Sequence, residues 1–183
     1  MMPVGPLMIE HRLIEKMLEV METKINLMKQ ENMLDPVFID TAVDFIRTYA
    51  DRCHHGKEED ILFRDLAKKK ISNELKRIMD ELIQEHIFAR KTTGKLVTAK
   101  ELYVKGGKDA LKDAITNAEI LITFYPPHIQ KEDKQFFIPC MEYFTKEEQG
   151  KMLSEMQEFD RKMIHEKYAA IVERESKASS NIM

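Results

Sequence analysis

Apolar residues recur every three or four positions along most of the chain, which is the period of an amphipathic α-helix. The first apolar stripe runs from Leu7 to Met28 and fades over residues 32–35. A second stripe follows Asp35-Pro36, where an N-capping residue precedes a proline suited to the first helical turn. This second helix is predicted to continue past the histidines at 54 and 55 and to end near Lys70.

Three further helices follow from the same pattern. The third begins at Ser72 and ends by Gly106-Gly107, and the fourth begins near Lys108 and meets Pro126-Pro127, which predicts a kink or a split. The sequence therefore predicts an all-α fold, an antiparallel up-down four-helix bundle with an additional C-terminal helix. The predicted boundaries are 1–145 for the bundle, 146–175 for a helix that packs on or extends it, and 176–183 for a disordered tail.

Composition excludes several classes of function. The chain of 183 residues has 29 Lys+Arg against 32 Asp+Glu and a net charge of −3, so it has no basic surplus for nucleic acid or for an anionic membrane. It contains no apolar run long enough to span a bilayer. Two cysteines, Cys53 and Cys140, are too few for a disulfide framework. We therefore expect a cytoplasmic protein.

The candidate chemistry lies in the histidines. The phrases HHGKEEDILF, from His54, and HIQKEDKQFF, from His128, both read His-x-x-x-Glu. Residues four apart share one face of a helix, so each phrase presents an imidazole nitrogen and a carboxylate to one point. A single such pair is usually an exposed ion pair, and the prediction of a metal site therefore depends on the repetition.

The repetition extends to two other histidines. Ile9-Glu10-His11 resembles Gln84-Glu85-His86, and the interval from His11 to His86 is almost the same as that from His54 to His128. The chain is thus predicted to be a helical hairpin used twice, with pseudo-twofold symmetry. The hairpins would bring together four imidazoles and two carboxylates, a set that suits two non-haem iron ions, with Zn or Mn as substitutes. The predicted metal ligands are His11, His54, Glu58, His86, His128 and Glu132.

The register of these ligands has an alternative. His55 and Glu59 have the same spacing as His54 and Glu58. Aligning KEED with QKED sets Glu58 on Glu132 and Glu59 on Asp133, which favours the first pair. His55, Glu59 and Asp133 remain alternative or supporting ligands. The sixth histidine, His165, lies outside the repeat and is predicted to be an ordinary surface residue.

From His11 to about Pro139 these residues resemble the hemerythrin-like, HHE cation-binding family. The resemblance implies a four-helix bundle whose di-iron centre is held by the six predicted ligands. Oxygen-carrying hemerythrins have a second third-helix histidine, four residues after the first, and an aspartate five residues after the last histidine. Here those places hold Arg90 and Asp133, and the missing imidazole argues against simple reversible oxygen carriage. The ligand set is more similar to di-iron proteins of nitrosative-stress response and iron-sulfur repair, whose N-terminal cysteine-bearing segment is not found here.

Three functions remain open at this point. The chain could bind or sense O2 or NO, it could be a redox enzyme acting on NO or peroxide, or it could be an iron-holding or structural bundle. Tyr125 could donate a hydrogen bond to a bound oxygen species or simply pack, and Arg90 could reach a bridging carboxylate or solvent. The amphipathic segment 146–173 could dock a protein partner or a second copy, or pack on its own bundle. No catalytic residue is assigned.

Overall fold

The computed structural model describes the backbone of residues 2–180 and the side chains of residues 2–163. This part of the chain folds into five helices and contains no strand, which confirms the predicted all-α class. The helices are α1 (Val4–Glu31), α2 (36–66), α3 (Asn73–Val104), α4 (110–141) and α5 (Lys146–Ser180). Two of them contain π-helical turns, at Ile46–His55 and Glu58–Phe63 in α2 and at Glu132–Phe136 in α4.

Local capping explains where several helices begin. Asp35 accepts a hydrogen bond from the Phe38 amide at 3.0 Å at the start of α2, and the Ser72 hydroxyl accepts one from the Leu75 amide at 3.1 Å before α3. Such side chains satisfy backbone donors that have no partner within the helix. Thr145 and Glu148 form a reciprocal capping box ahead of α5, with hydrogen bonds of 2.8 and 3.2 Å.

Two apolar clusters occupy the two ends of the bundle. One is built from the early residues of α1 and α3 and the late residues of α2 and α4, and the other is built from the opposite halves of the same helices. This alternation requires neighbouring helices to run antiparallel, as the sequence predicts. Between the clusters, each of the four helices contributes histidine to a single polar layer. Helix α5 adds Met152 and Met156 to the first of these clusters.

Three boundaries differ from the sequence prediction. Helix α2 ends at Leu66 rather than near Lys70. Helix α4 passes through Pro126-Pro127 without a split, although each proline removes a backbone donor, because the neighbouring Tyr125 and His128 are buried in the bundle and hold the backbone in place. Helix α5 extends to Ser180, into the segment that was predicted to be a disordered tail. The rest of that tail, 181–183, lies outside the described residues.

Candidate metal centre

The polar layer contains five histidines and two glutamates, none of which is more than 2% exposed to solvent. Helix α1 supplies one histidine, α2 two histidines and a glutamate, α3 one histidine, and α4 a histidine and a glutamate. The structure thus brings together all six ligands predicted from the sequence and adds a seventh side chain. The seven are His11, His54, His55, Glu58, His86, His128 and Glu132.

These side chains form two adjacent groups. His55, His86 and His128 offer ring nitrogens that lie within 4.8 Å of one another, and the donor atoms of His11, His54, Glu58 and Glu132 are as close together. Each group is therefore compact enough to surround one cation. The imidazoles are tightly clustered, with ring centroids 3.9 Å apart for His55 and His86 and 4.5 Å apart for His11 and His54.

The two glutamates connect the groups. Glu132 places Oε2 3.0 Å from His11 Nε2 and Oε1 3.3 Å from His128 Nε2. Glu58 places Oε1 3.6 Å from His54 Nε2 and Oε2 3.4 Å from His86 Nε2. Each carboxylate therefore directs one oxygen toward each group, which is the arrangement of a ligand that bridges two metal ions.

His55 is where the structure departs from the predicted symmetry. The sequence predicts His54 as a ligand with His55 as its alternative, but both are buried in the layer and each joins a different group. They lie in a π-helical turn, whose wider coil separates consecutive side chains by a smaller angle than an α-helix does. The repeat has Ile129, the residue after His128, at the corresponding place, so the extra imidazole belongs to one half alone.

Carboxylates outside the layer hold the other nitrogen of every ring. Nδ1 of His86 lies 2.6 Å from Glu59, that of His11 lies 2.7 Å from Asp133, and that of His55 lies 3.3 Å from Asp51. Glu10 and Glu85 hold His54 and His128 in the same way, at 2.9 and 2.8 Å. This pairing fixes the ring orientation and leaves Nε2 directed inward, as is usual for histidines that bind metals.

The two alternative carboxylates of the sequence prediction lie outside the layer. Glu59 and Asp133 do not join either group of donor atoms but support His86 and His11 from outside. Arg90 adopts neither of the two predicted positions. Its guanidinium donates hydrogen bonds to Asp51 at 2.7 Å and to Glu59 at 2.8 Å. The supporting role of Glu10 and Glu85 was not predicted, although a glutamate precedes histidine in both Ile9-Glu10-His11 and Gln84-Glu85-His86.

Unsatisfied buried atoms provide the test of whether a metal fits. Nε2 of His11, His54, His86 and His128 and all four carboxylate oxygens of Glu58 and Glu132 are buried without a hydrogen bond of acceptable geometry. Leaving one such atom unpaired costs about 1–3 kcal/mol, and native proteins avoid it. Eight of them converging in one layer are explained by cations that accept their lone pairs. The donor set of imidazoles and carboxylates therefore fits a pair of divalent ions.

Aromatic side chains cover the imidazoles. Phe63 stacks near His86 with ring centroids 6.0 Å apart, Phe137 near His11 at 5.6 Å and Phe124 near His128 at 5.4 Å. Because the rings offer no hydrogen bonds, they keep water away from the layer and leave the bridging carboxylates in an apolar environment.

Burial and charge shift the protonation of the layer in the absence of metal. Burial and the nearby Glu132 raise the pKa of Glu58 well above its usual range, whereas Glu132, despite its burial, has its pKa held well below that range by His128 and His11. Burial lowers the pKa of His54 to about 4. Burial opposes charge on His11 as well, but its hydrogen bond to Asp133 and the nearby negative charge of Glu132 raise its pKa to about 9. The metal-free layer therefore carries protons at neutral pH.

Metal uptake at pH 7 is expected to release protons, because a metal ion displaces them from Glu58 and from His11. His11 loses its proton unaided only as the pH rises through about 9, so the apparent affinity is expected to increase with pH up to that value. Zinc titration in weakly buffered solution with a pH indicator measures the release. Uptake with no proton release and with the same affinity at pH 7 and pH 9 would contradict this assignment of charge.

Comparison with known proteins identifies the family. The model of the hemerythrin HHE cation-binding domain matches residues 2–139, so the chain belongs to this family. Searches of curated proteins and of solved structures found no match. The protein is accordingly a cation-binding four-helix bundle, and α5 lies beyond the part that the family model covers.

Among the described residues, no helix is sufficiently long and apolar to cross a membrane. The side chain of His165, which was predicted to be an ordinary surface residue, lies outside the described residues.

Proposed function

We propose that the protein holds two non-haem iron ions in the polar layer and uses them to bind or sense O2 or NO. One observation carries this proposal: each of two buried glutamates directs one oxygen to each of two groups of imidazoles. Ions that share carboxylates in this way are close enough to act together on one small molecule. Zinc or manganese could occupy the same donors, so the identity of the metal is part of the test.

The chain's own residues prepare the site for a small ligand. When bound, iron supplies an open coordination position where a diatomic gas can bind and accept electrons. Glu58 and Glu132 would hold the two ions, and the carboxylates at Nδ1 of each ring prevent the imidazoles from turning away. The stacked phenylalanines exclude water, which favours small neutral molecules over ions.

A cavity beside His55 supports access by a small ligand. It has a volume of about 90 Å³ and is bordered by Arg90 and by Tyr125. Water occupies about 30 Å³ per molecule in the liquid, so this space can hold a diatomic gas. The Tyr125 hydroxyl is buried and has no hydrogen-bond partner, and burial raises its pKa. It therefore stays protonated and can donate a hydrogen bond to a molecule in the cavity.

The same hydroxyl favours a second candidate function, a redox enzyme acting on NO or peroxide. A protonated tyrosine beside the centre can donate a hydrogen bond to the oxygen of a substrate as well as to that of a bound gas. A cytoplasmic location belongs to the proposal as well and is supported by the two free, buried thiols, Cys53 and Cys140. Docking of a protein partner or a second copy through 146–173 remains a proposal, and part of that segment already packs on the bundle through Met152 and Met156.

Anaerobic iron loading followed by gas addition tests the function. We expect about two irons per chain and a change of the absorption spectrum on adding O2 or NO. Tyr125→Phe is expected to release the bound gas about fivefold faster, since a hydrogen bond contributes about 1 kcal/mol. Tyr103→Phe is the matched control, because the Tyr103 hydroxyl bonds the Leu34 amide in another part of the bundle.

The outcomes separate the candidates. A spectral change without consumption of the added molecule supports a binder or sensor. Catalytic consumption of NO or peroxide, when electrons are supplied, supports the enzyme. If iron binds but its spectrum changes with none of these molecules, the iron-holding bundle is the candidate function that remains, and the proposal is overturned.

A further inference from the structure

A lysine lies behind the polar layer in each half of the repeat, fully buried at Lys57 and 23% exposed at Lys131. In one half, Lys57 bonds Glu10, which holds the ring of His54. In the other half, Lys131 bonds Glu85, which holds the ring of His128. Each lysine follows its histidine by three positions, so the two lysines are separated by the same interval as the two histidines. The internal repeat thus includes the lysine and the glutamate behind one imidazole of each half.

The two halves differ in the second carboxylate that each lysine contacts. Lys131 has Glu81, on α3, at 3.4 Å. Glu81 lies five positions before His86, and the matching place five positions before His11 in α1 is Pro6, which offers no carboxylate. Lys57 instead contacts Asp160 of α5 at 2.8 Å and is fully buried. Helix α5 thus provides, from outside the repeat, the group that the first half lacks.

Helix α5 is held closely at this point. A Cβ on Gly56 would lie 2.9 Å from the ring of Phe159, so the residue between His55 and Lys57 has room only for hydrogen there unless the ring moves. Asp160 also accepts a hydrogen bond from Cys53 at 3.3 Å. Although Glu10, Cys53 and Asp160 have donor atoms close together, the ammonium of Lys57 already bonds both carboxylates, so this cluster contains its own cation.

We infer that Asp160 is a positioning residue for the metal centre, acting on His54 through Lys57 and Glu10. Asp160 fixes the ammonium of Lys57, the ammonium fixes the Glu10 carboxylate, and the carboxylate orients the imidazole whose Nε2 faces the layer. Undocking of α5 near Phe159 would remove the first of these contacts and loosen one ligand in one group. This inference rests on the proposed function, because it requires that the layer bind metal.

An Asp160→Asn variant tests the inference, since it keeps the shape of the side chain and removes its charge. In the zinc-loaded protein we expect metal to pass to a chelator about tenfold faster than in the wild type, the range in which supporting partners of metal ligands usually act. In the metal-free protein we expect the ¹⁵N NMR signals of the His54 ring to shift. Asp160→Glu, which restores the charge, should recover part of both effects.

Two controls make the test specific. Glu158→Gln removes an exposed carboxylate of the same helix, which pairs with Arg161 and Lys162 within one turn of that helix, and should change neither measurement. Glu81→Gln should act on His128 and leave His54 unchanged. Release rates and His54 signals in Asp160→Asn equal to those of the wild type would overturn the inference. If the wild type bound no metal, the proposed function would fail, while the His54 signals of the metal-free variant would still decide whether Asp160 positions the ring.

Discussion

A Glu132→Gln variant is expected to lose most of its bound metal. Glu132 is the side chain that contacts the most imidazoles, with one oxygen 3.0 Å from His11 Nε2 and the other 3.3 and 3.5 Å from His128 and His86. The amide replaces one donor oxygen by an NH2 group that repels a cation, and it removes the negative charge shared by both ions. We expect affinity to fall by more than about 100-fold, beyond the range typical for a supporting partner.

Metal analysis after dialysis measures this loss. Glu119→Gln is the matched control, because Glu119 lies on the same helix, has a side chain that is 43% exposed and pairs with Lys29 at 2.6 Å. Circular dichroism should show that both variants remain helical, since glutamine keeps the size of glutamate. Metal content in Glu132→Gln equal to that of the control would mean that the polar layer is not the metal site.

Loading with metal is expected to raise the melting temperature by about 10 °C. This value is the stabilisation by metal binding, in kcal/mol, multiplied by the shift in melting temperature per kcal/mol for a chain of this size. The metal-free layer contains eight buried ligand atoms without a hydrogen bond, and a cation satisfies them only in the folded state. Binding to the native state alone at about 1,000 times the dissociation constant stabilises by about 4 kcal/mol. For a chain of this size each kcal/mol corresponds to about 2–4 °C.

Calorimetry with and without a chelator checks this expectation. The Glu132→Gln variant should show little of the increase, and added chelator should reverse it in the wild type. An equal melting temperature for loaded and metal-free protein would indicate that metal binds the unfolded chain as well as the folded protein, and would contradict this expectation.

The sequence was sufficient for much of the fold and for the symmetric part of the site. Caps at Asp35 and Ser72 and the glycines at 106 and 107 identify helix boundaries through local chemistry that tertiary contacts leave unchanged. The matched His-x-x-x-Glu phrases predict candidate ligands because a helix fixes which residues share a face. The internal repeat then predicts that His54, Glu58, His128 and Glu132 meet in one layer, and the structure brings these four side chains together.

The parts that could not be predicted depend on wider contacts. His55 enters the layer because α2 adopts a π-helical turn there, and no local pattern in the sequence distinguishes such a turn from an α-helix. Asp160 lies beside the site only after α5 has packed on α2. Asp51 lies four residues before His55 on the same helix, so its role follows from that spacing once His55 is placed in the layer. Pro126-Pro127 predicted a break from backbone chemistry alone, but the buried residues on either side hold α4 continuous.

The polar layer between the two apolar clusters has a consequence for how the helices align. Sliding any one of the four helices by a turn would move a histidine or a glutamate into a cluster of aliphatic side chains and an aliphatic side chain into the layer. Burying an unpaired charged or polar group in that way costs several kcal/mol, so shifted alignments are excluded even before metal binds. The layer thus selects a single alignment of the helices. A bound pair of ions would link all four helices to one another through this layer.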